Sequence, residues 1–593
     1  MQNLLKTFRG VAAVVILAAM VAPAWAQGDA RFSGTVVDQS GAFVPGATVT
    51  VKNQRTGEVR TVISTAQGLY MVPNLKPSVY TITVMLGSFQ PLEYTDMTLA
   101  AGQEFGLDLE LHAAGVSETV TVEAHATAID LSSARIGANV SEREVAALPV
   151  NGRQMSQLLL QAPGSQNAGT GTWQDIRFSG RAVEQNVIKY DGIEGSAIID
   201  AAPGNVNGEN NTPFKLQASL ENVQEFRVES SSYPAEYGTG TGGQVSVITK
   251  SGTNGFHGAL FEYARRDRFD TRNYFDSTRN VDGSVITTLP KSKLKQDQFG
   301  GSIGGPLARD RAFFFGSYEG YRLDAGLNFV EAIPSNQAWA RATAAIAPLR
   351  SGFLAPGAVV LSGASANPDF DIAQLQTVQH VTENAFSARV DFKANDSWSS
   401  YIRLFRDTGT NNEPQGVTGR IFHTTAKPTN AVFNLQGILN GGLTNELKFG
   451  YNAAQTTEQG LAPAGFENII LNLSGSVANT GIAGQGATSG LAIPGGLVRV
   501  NSAGNGRSAP YNPYSLTFAD TLNMVSGSHY LKAGGDVRVI RMATDQQGGI
   551  TYSFANLDAF LANTPATIQY FGDLSEPSPF HNGATGMKHT KQQ

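Results

Sequence analysis

Residues 241–270 read TGGQVSVITKSGTNGFHGALFEYARRDRFD, two alternating stretches around one Gly-rich turn. Val245, Val247 and Thr249 alternate with Ser246, Ile248 and Lys250, and Ala259, Phe261 and Tyr263 with Leu260, Glu262 and Ala264. Period-two alternation of this kind argues β-strand. Between the two, Ser251-Gly252-Thr253-Asn254-Gly255 supplies residues that tolerate positive φ. The alternation returns at Phe386, Ala388, Val390 and Phe392, at Leu447, Phe449 and Tyr451, and at Leu531, Ala533, Val537 and Val539. In each case polar or charged residues occupy the other face, which suits lipid on one side and a wet lumen on the other. After the N-terminal leader no run of about 18 apolar residues occurs. A membrane crossing by this chain therefore uses strands, because only helices and closed barrels satisfy their backbone groups in lipid. Charged residues make up 16% of the 593 and Gly numbers 65, which favours strands and turns over helical bundles.

The leader, residues 1–26, has Lys6 and Arg9 ahead of an apolar run of about eleven residues and ends in Ala24-Trp25-Ala26. That is the layout of a secretory signal peptide with an A-x-A cleavage site, so the mature chain is expected to begin at Gln27. Cys is 0, which removes disulfides, thiolate nucleophiles and Cys-based zinc sites. A formal net charge of -6 gives no basic field for nucleic acid.

Residues 30–112 hold short β-branched strands separated by turns, the pattern of a small β-sandwich. Within it, GTVVDQSGAFVPGATVTVKNQRTGEVRTVISTAQGLYMVPNLKPSVYTITV resembles the carboxypeptidase regulatory-like domain, a transthyretin/carbohydrate-binding-like sandwich. Val44-Pro45-Gly46-Ala47, Gly68-Leu69-Tyr70 and a turn over residues 73–75 match that family, while Pro77-Ser78 departs from its usual Pro-Gly. The resemblance implies no catalytic carboxypeptidase residues.

Residues 124–250 read as mixed α/β. Ser141 and Glu144 are placed to start a short helix, residues 154–161 look helical until Pro163-Gly164, and residues 185–190 and 223–230 are strands. Leu148-Pro149…Gly152-Arg153, Tyr190-Asp191-Gly192, Val223-Gln224-Glu225-Phe226, Ala235-Glu236-Tyr237-Gly238 and Thr249-Lys250-Ser251-Gly252-Thr253-Asn254 together resemble the plug of TonB-dependent receptors of the Oar-like type. Phe299-Gly300-Gly301-Ser302-Ile303-Gly304-Gly305-Pro306-Leu307 continues the likeness into the barrel. In that family a segment like Ser117, Glu118, Thr119, Val120, Thr121, Val122 and Glu123 is the TonB box, a strand that the periplasmic TonB protein pairs with; by its residues alone it also reads as a linker.

The expected architecture is mainly β: signal peptide 1–26, β-sandwich 27–112, TonB box and α/β plug 113–250, and a partial transmembrane β-barrel over 251–593. The resemblance implies an outer-membrane receptor of Gram-negative type with its N-terminal domain in the periplasm. Outer-membrane lipid, TonB and an unidentified external ligand, glycan or peptide among the options, are the partners it implies. A secreted or surface carbohydrate-binding adhesion protein is the alternative. Roughly ten strands are visible where such barrels close about 22, so further barrel sequence beyond Gln593 is expected. Residues 324–380 and 455–513, rich in Ala, Gly, Ser and Asn, are expected to be long extracellular loops. No enzyme and no cofactor is indicated. Gly238-Thr239-Gly240-Thr241-Gly242-Gly243 fits a dinucleotide fingerprint in letters only, because a strand rather than a helix follows it. Arg265-Arg266-Asp267-Arg268 reads as a solvated strand end or lumen wall, and the scattered His residues form no metal motif.

Overall fold

The structure is a computed structural model that describes residues 30–592 apart from, chiefly, 114–119, 124–134, 168–175, 196–218, 462–468, 474–507 and 572–587, and short stretches elsewhere. The leader and most of the Gly/Asn-rich segment after Gly195 lie outside the described residues.

The N-terminal unit is a sandwich of strands β1 (Ala30–Asp38), β2 (Thr48–Asn53), β3 (Val59–Ile63), β4 (Leu69–Leu75), β5 (Ser78–Met85), β6 (Leu92–Leu99), β7 (Glu104–Gly106) and β8 (Leu109–Leu111). One sheet runs β4-β1-β7, with β8 also on β1; the other runs β3-β2-β5-β6 and continues into β9 (Val120–Glu123). Alternate residues of both sheets, among them Phe32, Val49, Val51, Tyr70, Tyr80, Ile82 and Leu109, form one buried core. Two local expectations fail. Residues 73–75 belong to β4 and not to a turn. Residues 105–111, whose sequence reads as one strand closing the set, form two, because the chain leaves the ladder at Leu107 and Asp108. There the Leu107 carbonyl accepts the Tyr70 hydroxyl at 2.7 Å, and the Asp108 carboxylate accepts Thr35 N–H at 2.8 Å.

The second unit has the five-stranded order β10 (Ile136–Val140), β15 (Val223–Ser231), β16 (Gln244–Thr249), β13 (Val187–Tyr190), β14 (Ile193–Glu194), with the pair β11 (Ser165–Asn167) and β12 (Ile176–Phe178) beside it. Helix α1 (Glu142–Ala147) carries the expected capping box between Ser141 and Glu144. The stretch read as helical at 154–161 is a 3-10 helix over Met155–Gln161, whose Leu158 and Leu159 enter the core with Phe178, Phe226 and Val247.

A meander of long antiparallel strands follows: β17 (His257–Arg266), the hairpin β18 (Ser277–Arg279) and β19 (Val285–Thr288), β20 (Leu294–Ala308), β21 (Ala312–Pro334), β22 (Val359–Leu361), β23 (Phe370–Lys393), β24 (Trp398–Gln415), β25 (Arg420–Asn440), β26 (Leu443–Leu461), β27 (Ile469–Leu473), β28 (Ser508–Ser526), β29 (His529–Gln546), β30 (Gly549–Phe554), β31 (Thr567–Phe571) and β32 (Lys588–Gln592). The main sheet has 11 strands in the order β17-β20-β21-β23-β24-β25-β26-β28-β29-β32, with β22 attached to β23. Among the described residues the sheet is not closed: β17 pairs with β20 alone. On β23, Phe386, Val390 and Phe392 face outward, exposed, while Ser387, Arg389 and Asp391 are buried toward the lumen. That is the alternation expected of a barrel wall.

The short turn after β20, at Asp310, touches the sandwich at Gly57 and Arg55 through Asn254. The long connections therefore lie at the far end of the wall. They are shorter than the sequence suggests, since β21 runs to Pro334, β23 starts at Phe370, and β26 and β28 extend to Leu461 and from Ser508. At this end neighbouring residues on both faces are buried, Ala332 and Ile333 on β21 and Ile372 and Ala373 on β23, so the apolar/polar alternation that marks a strand is lost and the composition reads as loop. Residues 335–369 and 549–571 fold into a shared core of Trp339, Phe353, Phe370, Phe554 and Phe560, capped by α2 (Asn336–Trp339) and α3 (Leu557–Leu561).

Candidate functional site

The second unit fills the concave side of the wall, and buried charges tie the two together. β13 and β14 form a hairpin that turns at Asp191 and Gly192, with φ of 50° and 85°. An Asp-Gly pair with both φ positive is what a two-residue hairpin turn requires. The turn carries the Asp191 carboxylate into the wall, where it accepts Thr249 N–H at 3.0 Å, the Thr249 hydroxyl at 2.8 Å and Arg403 Nε–H at 3.0 Å. The Arg389 guanidinium lies 3.7 Å away. Burial pushes this carboxyl's pKa up, but Arg403 and Arg389 outweigh it and hold the group below the usual carboxylate range.

Arg389 also grips Asp391 with two bonds of 2.9 Å and lies 4.1 Å over the Tyr401 ring. Asp391 in turn takes Lys76 of the sandwich at 3.0 Å. One line of charges thus runs from sandwich to wall to plug: Lys76, Asp391, Arg389, Asp191, Arg403. Buried charges survive only when paired and hydrogen-bonded, and each of these is.

Further ties hold the sandwich in place. Arg60 donates to Gln436 at 2.9 Å, Gln436 to the Asn74 carbonyl at 2.9 Å, and Asn523 to the Asn74 side chain at 3.0 Å. Between sandwich and plug, Gln224 donates to the Pro77 carbonyl at 2.9 Å and the Ala101 N–H donates to Glu225. Burial raises the Glu225 carboxyl to about 7, although the Ala101 N–H and Asn139 oppose the shift. A cleft of about 550 Å³ opens where the three units meet, lined by Arg55, Lys76, Lys250, Asp310, Arg389 and Tyr401. The link from plug to wall passes here with no room to spare: a Cβ on Gly252 would stand 2.3 Å from the Phe314 carbonyl oxygen.

Of the segment singled out in the sequence, Val120–Glu123 is β9, paired in parallel with β6. Ser117, Glu118 and Thr119 lie outside the described residues. The glycines at 240–243 serve packing: Gly240 has φ 80°, and a Cβ on Gly243 would collide with the Phe178 ring. Strand β16 follows them, so no dinucleotide turn forms. Arg266 pairs with Asp297 across the β17–β20 ladder, and Arg268 stacks on Phe269 4.6 Å away. The Arg153 guanidinium rests on the rings of Phe261 and Tyr263 at 4.7 and 4.6 Å and pairs with Glu221 at 3.1 Å. Sequence reading missed the charged seam, because Asp191 and its arginines are about 200 residues apart. The available signal was the run of charged residues at alternate positions of β23 and β24, Arg389, Asp391 and Arg403.

The carboxypeptidase regulatory-like domain family matches residues 31–112, and the family described as outer membrane beta barrel domain matches residues 248–586. The TonB-dependent transporter Oar of Myxococcus xanthus is 29% identical over 297 residues, which is 48% of this chain and 26% of that protein. The chain thus aligns with about a quarter of that relative's length. Among solved structures, the outer membrane transporter YddB from Escherichia coli is similar with a TM-score of 0.48 and 12% identity, over 77% of this chain and 52% of its own. The siderophore receptor PirA from Acinetobacter baumannii is similar with a TM-score of 0.41 and 14% identity, over 69% and 48%. The match over residues 248–586 covers more than half of the sequence, and the chain belongs to the outer membrane beta barrel domain family.

Proposed function

We propose that this chain serves as a TonB-dependent receptor of the Gram-negative outer membrane, binding an external ligand and admitting it with energy drawn from the inner membrane. In this reading residues 27–112 are a periplasmic sandwich, 113–250 the coupling segment and plug, and 251–593 barrel wall. The observation that carries it is the extended strand β9, which stands between the sandwich and a plug held in the lumen by the Asp191 seam. A β-prone strand in that position suits strand addition to a partner's sheet edge, with main-chain hydrogen bonds supplying affinity. The ligand reaches the rim core and plug from outside; glycans and peptides suit a receptor that carries a carbohydrate-binding-like sandwich, and the siderophore named for PirA is a further class. Nothing in this reading calls for covalent catalysis.

Val120→Pro tests it. Proline removes a ladder N–H and restricts the residue before it. Energised uptake is expected to vanish while ligand binding to the outer face stays intact. Uptake at the unsubstituted rate would remove residues 117–123 from the coupling role.

A further inference from the structure

The strand assigned to coupling is already paired. β9 lies parallel to β6, with Leu92 opposite Val120, Glu93 opposite Thr121, Tyr94 opposite Val122 and Thr95 opposite Glu123. It forms the last strand of the sheet β3-β2-β5-β6-β9. Just upstream the chain is also held, since Ala113 bridges Phe89 and Gln90 N–H donates to the His112 carbonyl at 2.8 Å. The body that β6 belongs to is pinned to the wall through Lys76–Asp391 and Arg60–Gln436.

The edge of β6 thus makes in cis the kind of contact that a coupling partner would make in trans. From this we infer that β6 acts as a latch: it holds the coupling strand against the sandwich, and a periplasmic energy-coupling protein offering a sheet edge must take β9 from it. The inference rests on the reading of residues 117–123 given above.

Zipped to β6, β9 stays at the flank of the sandwich, and the strength of the contact suits a latch. Four residues of parallel ladder make a short contact, and parallel pairing is slightly weaker per residue than antiparallel. β6 is also irregular at this point: its register with β5 shifts so that Thr95 and Asp96 have no β5 partner, and Asp96 has φ 57°. A contact of that size holds a strand without trapping it. It lowers the partner's apparent affinity by the fraction of time that β9 is free.

The chain has no cysteine, so Glu93→Cys with Thr121→Cys places the sole thiol pair across the latch. The full chain is titrated with the labelled periplasmic domain of a TonB-type protein, before and after oxidation, with closure of the bridge verified by mass. A bismaleimide replaces the bridge if the thiols do not join. Closure is expected to weaken binding at least tenfold, and reductant to reopen a disulfide bridge and restore binding. Thr95→Pro, at the bulge where β5 is not paired, is expected to strengthen binding severalfold. Equal binding by the closed and open forms, with Val120→Pro abolishing binding, would overturn the latch and leave the coupling reading standing. Equal binding by closed, open and Val120→Pro forms alike would remove the coupling reading and the latch together.

Discussion

Asp191 shows how one side chain can fix the position of a domain. Its carboxylate is the counter-charge for Arg403 and, at longer range, Arg389, both almost fully buried. Removing one partner of a buried pair leaves the other charge uncompensated, at a cost of about 3–5 kcal/mol. Asp191→Ala is therefore expected to loosen the plug by about that amount, read as earlier exposure of plug residues to protease in a urea series. Asp391→Ala should cost less at the plug, because Arg389 keeps Asp191 and the Thr249 carbonyl as partners. The motif Tyr190-Asp191-Gly192 was visible in the sequence, and so was the strand that it ends. Its task was not, because nothing local to residue 191 indicates which wall strands will face it.

At the scale of single elements, alternation predicted the wall strands well where one face meets lipid and the other the lumen. β23, β26 and β29 all contain the stretches picked out by period two. On β29 Val537 faces outward and is half exposed, whereas Arg538 reaches Glu194 of the plug at 2.6 Å. Val537→Arg is expected to destabilise the wall by about 2–4 kcal/mol at the bilayer midplane, and Asp536→Arg on the wet face by much less. Urea unfolding in lipid vesicles distinguishes the two, and equal costs would place this strand outside the membrane. Strand ends were the least legible feature. β21, β23, β26 and β28 run beyond the expected limits. In the extensions of β21 and β23, and where that of β26 begins, consecutive residues such as Ala332–Ile333, Ile372–Ala373 and Ala453–Ala454 are buried on both faces, so no alternation marks them. The break between β7 and β8 was equally hidden, since it depends on the Tyr70 hydroxyl and on Thr35, remote in sequence.

In the whole molecule, three units meet at one seam, and the least buffered contact there is Glu225 against Ala101. Burial raises the Glu225 carboxyl to about 7, with Glu142 adding to the shift and Arg227 opposing it. A carboxyl raised in the docked state binds its proton more tightly there than when free. Its contribution to docking is thus complete below the ordinary carboxylate range and is lost as pH rises through about 7. The sandwich is expected to detach from the plug more readily at pH 8 than at pH 5, measured by amide exchange at residues 100–103. Glu225→Gln should flatten that dependence. The order of the units could be read from sequence and resemblance; their docking could not, because the ties of the sandwich described above join groups from 124 to 449 positions apart, several of them backbone groups.

The aromatic core at the far end of the wall has a kinetic consequence. Trp339 and Phe353 come from the connection between β21 and β23, and Phe554 and Phe560 from the one after β29, yet the Phe560 ring packs against the other three. Neither connection can open without exposing the rings of the other, so the two share one activation barrier and open with one rate constant. Opening of this end of the wall is therefore expected to occur in a single step, read as one rate constant in the change of Trp339 emission.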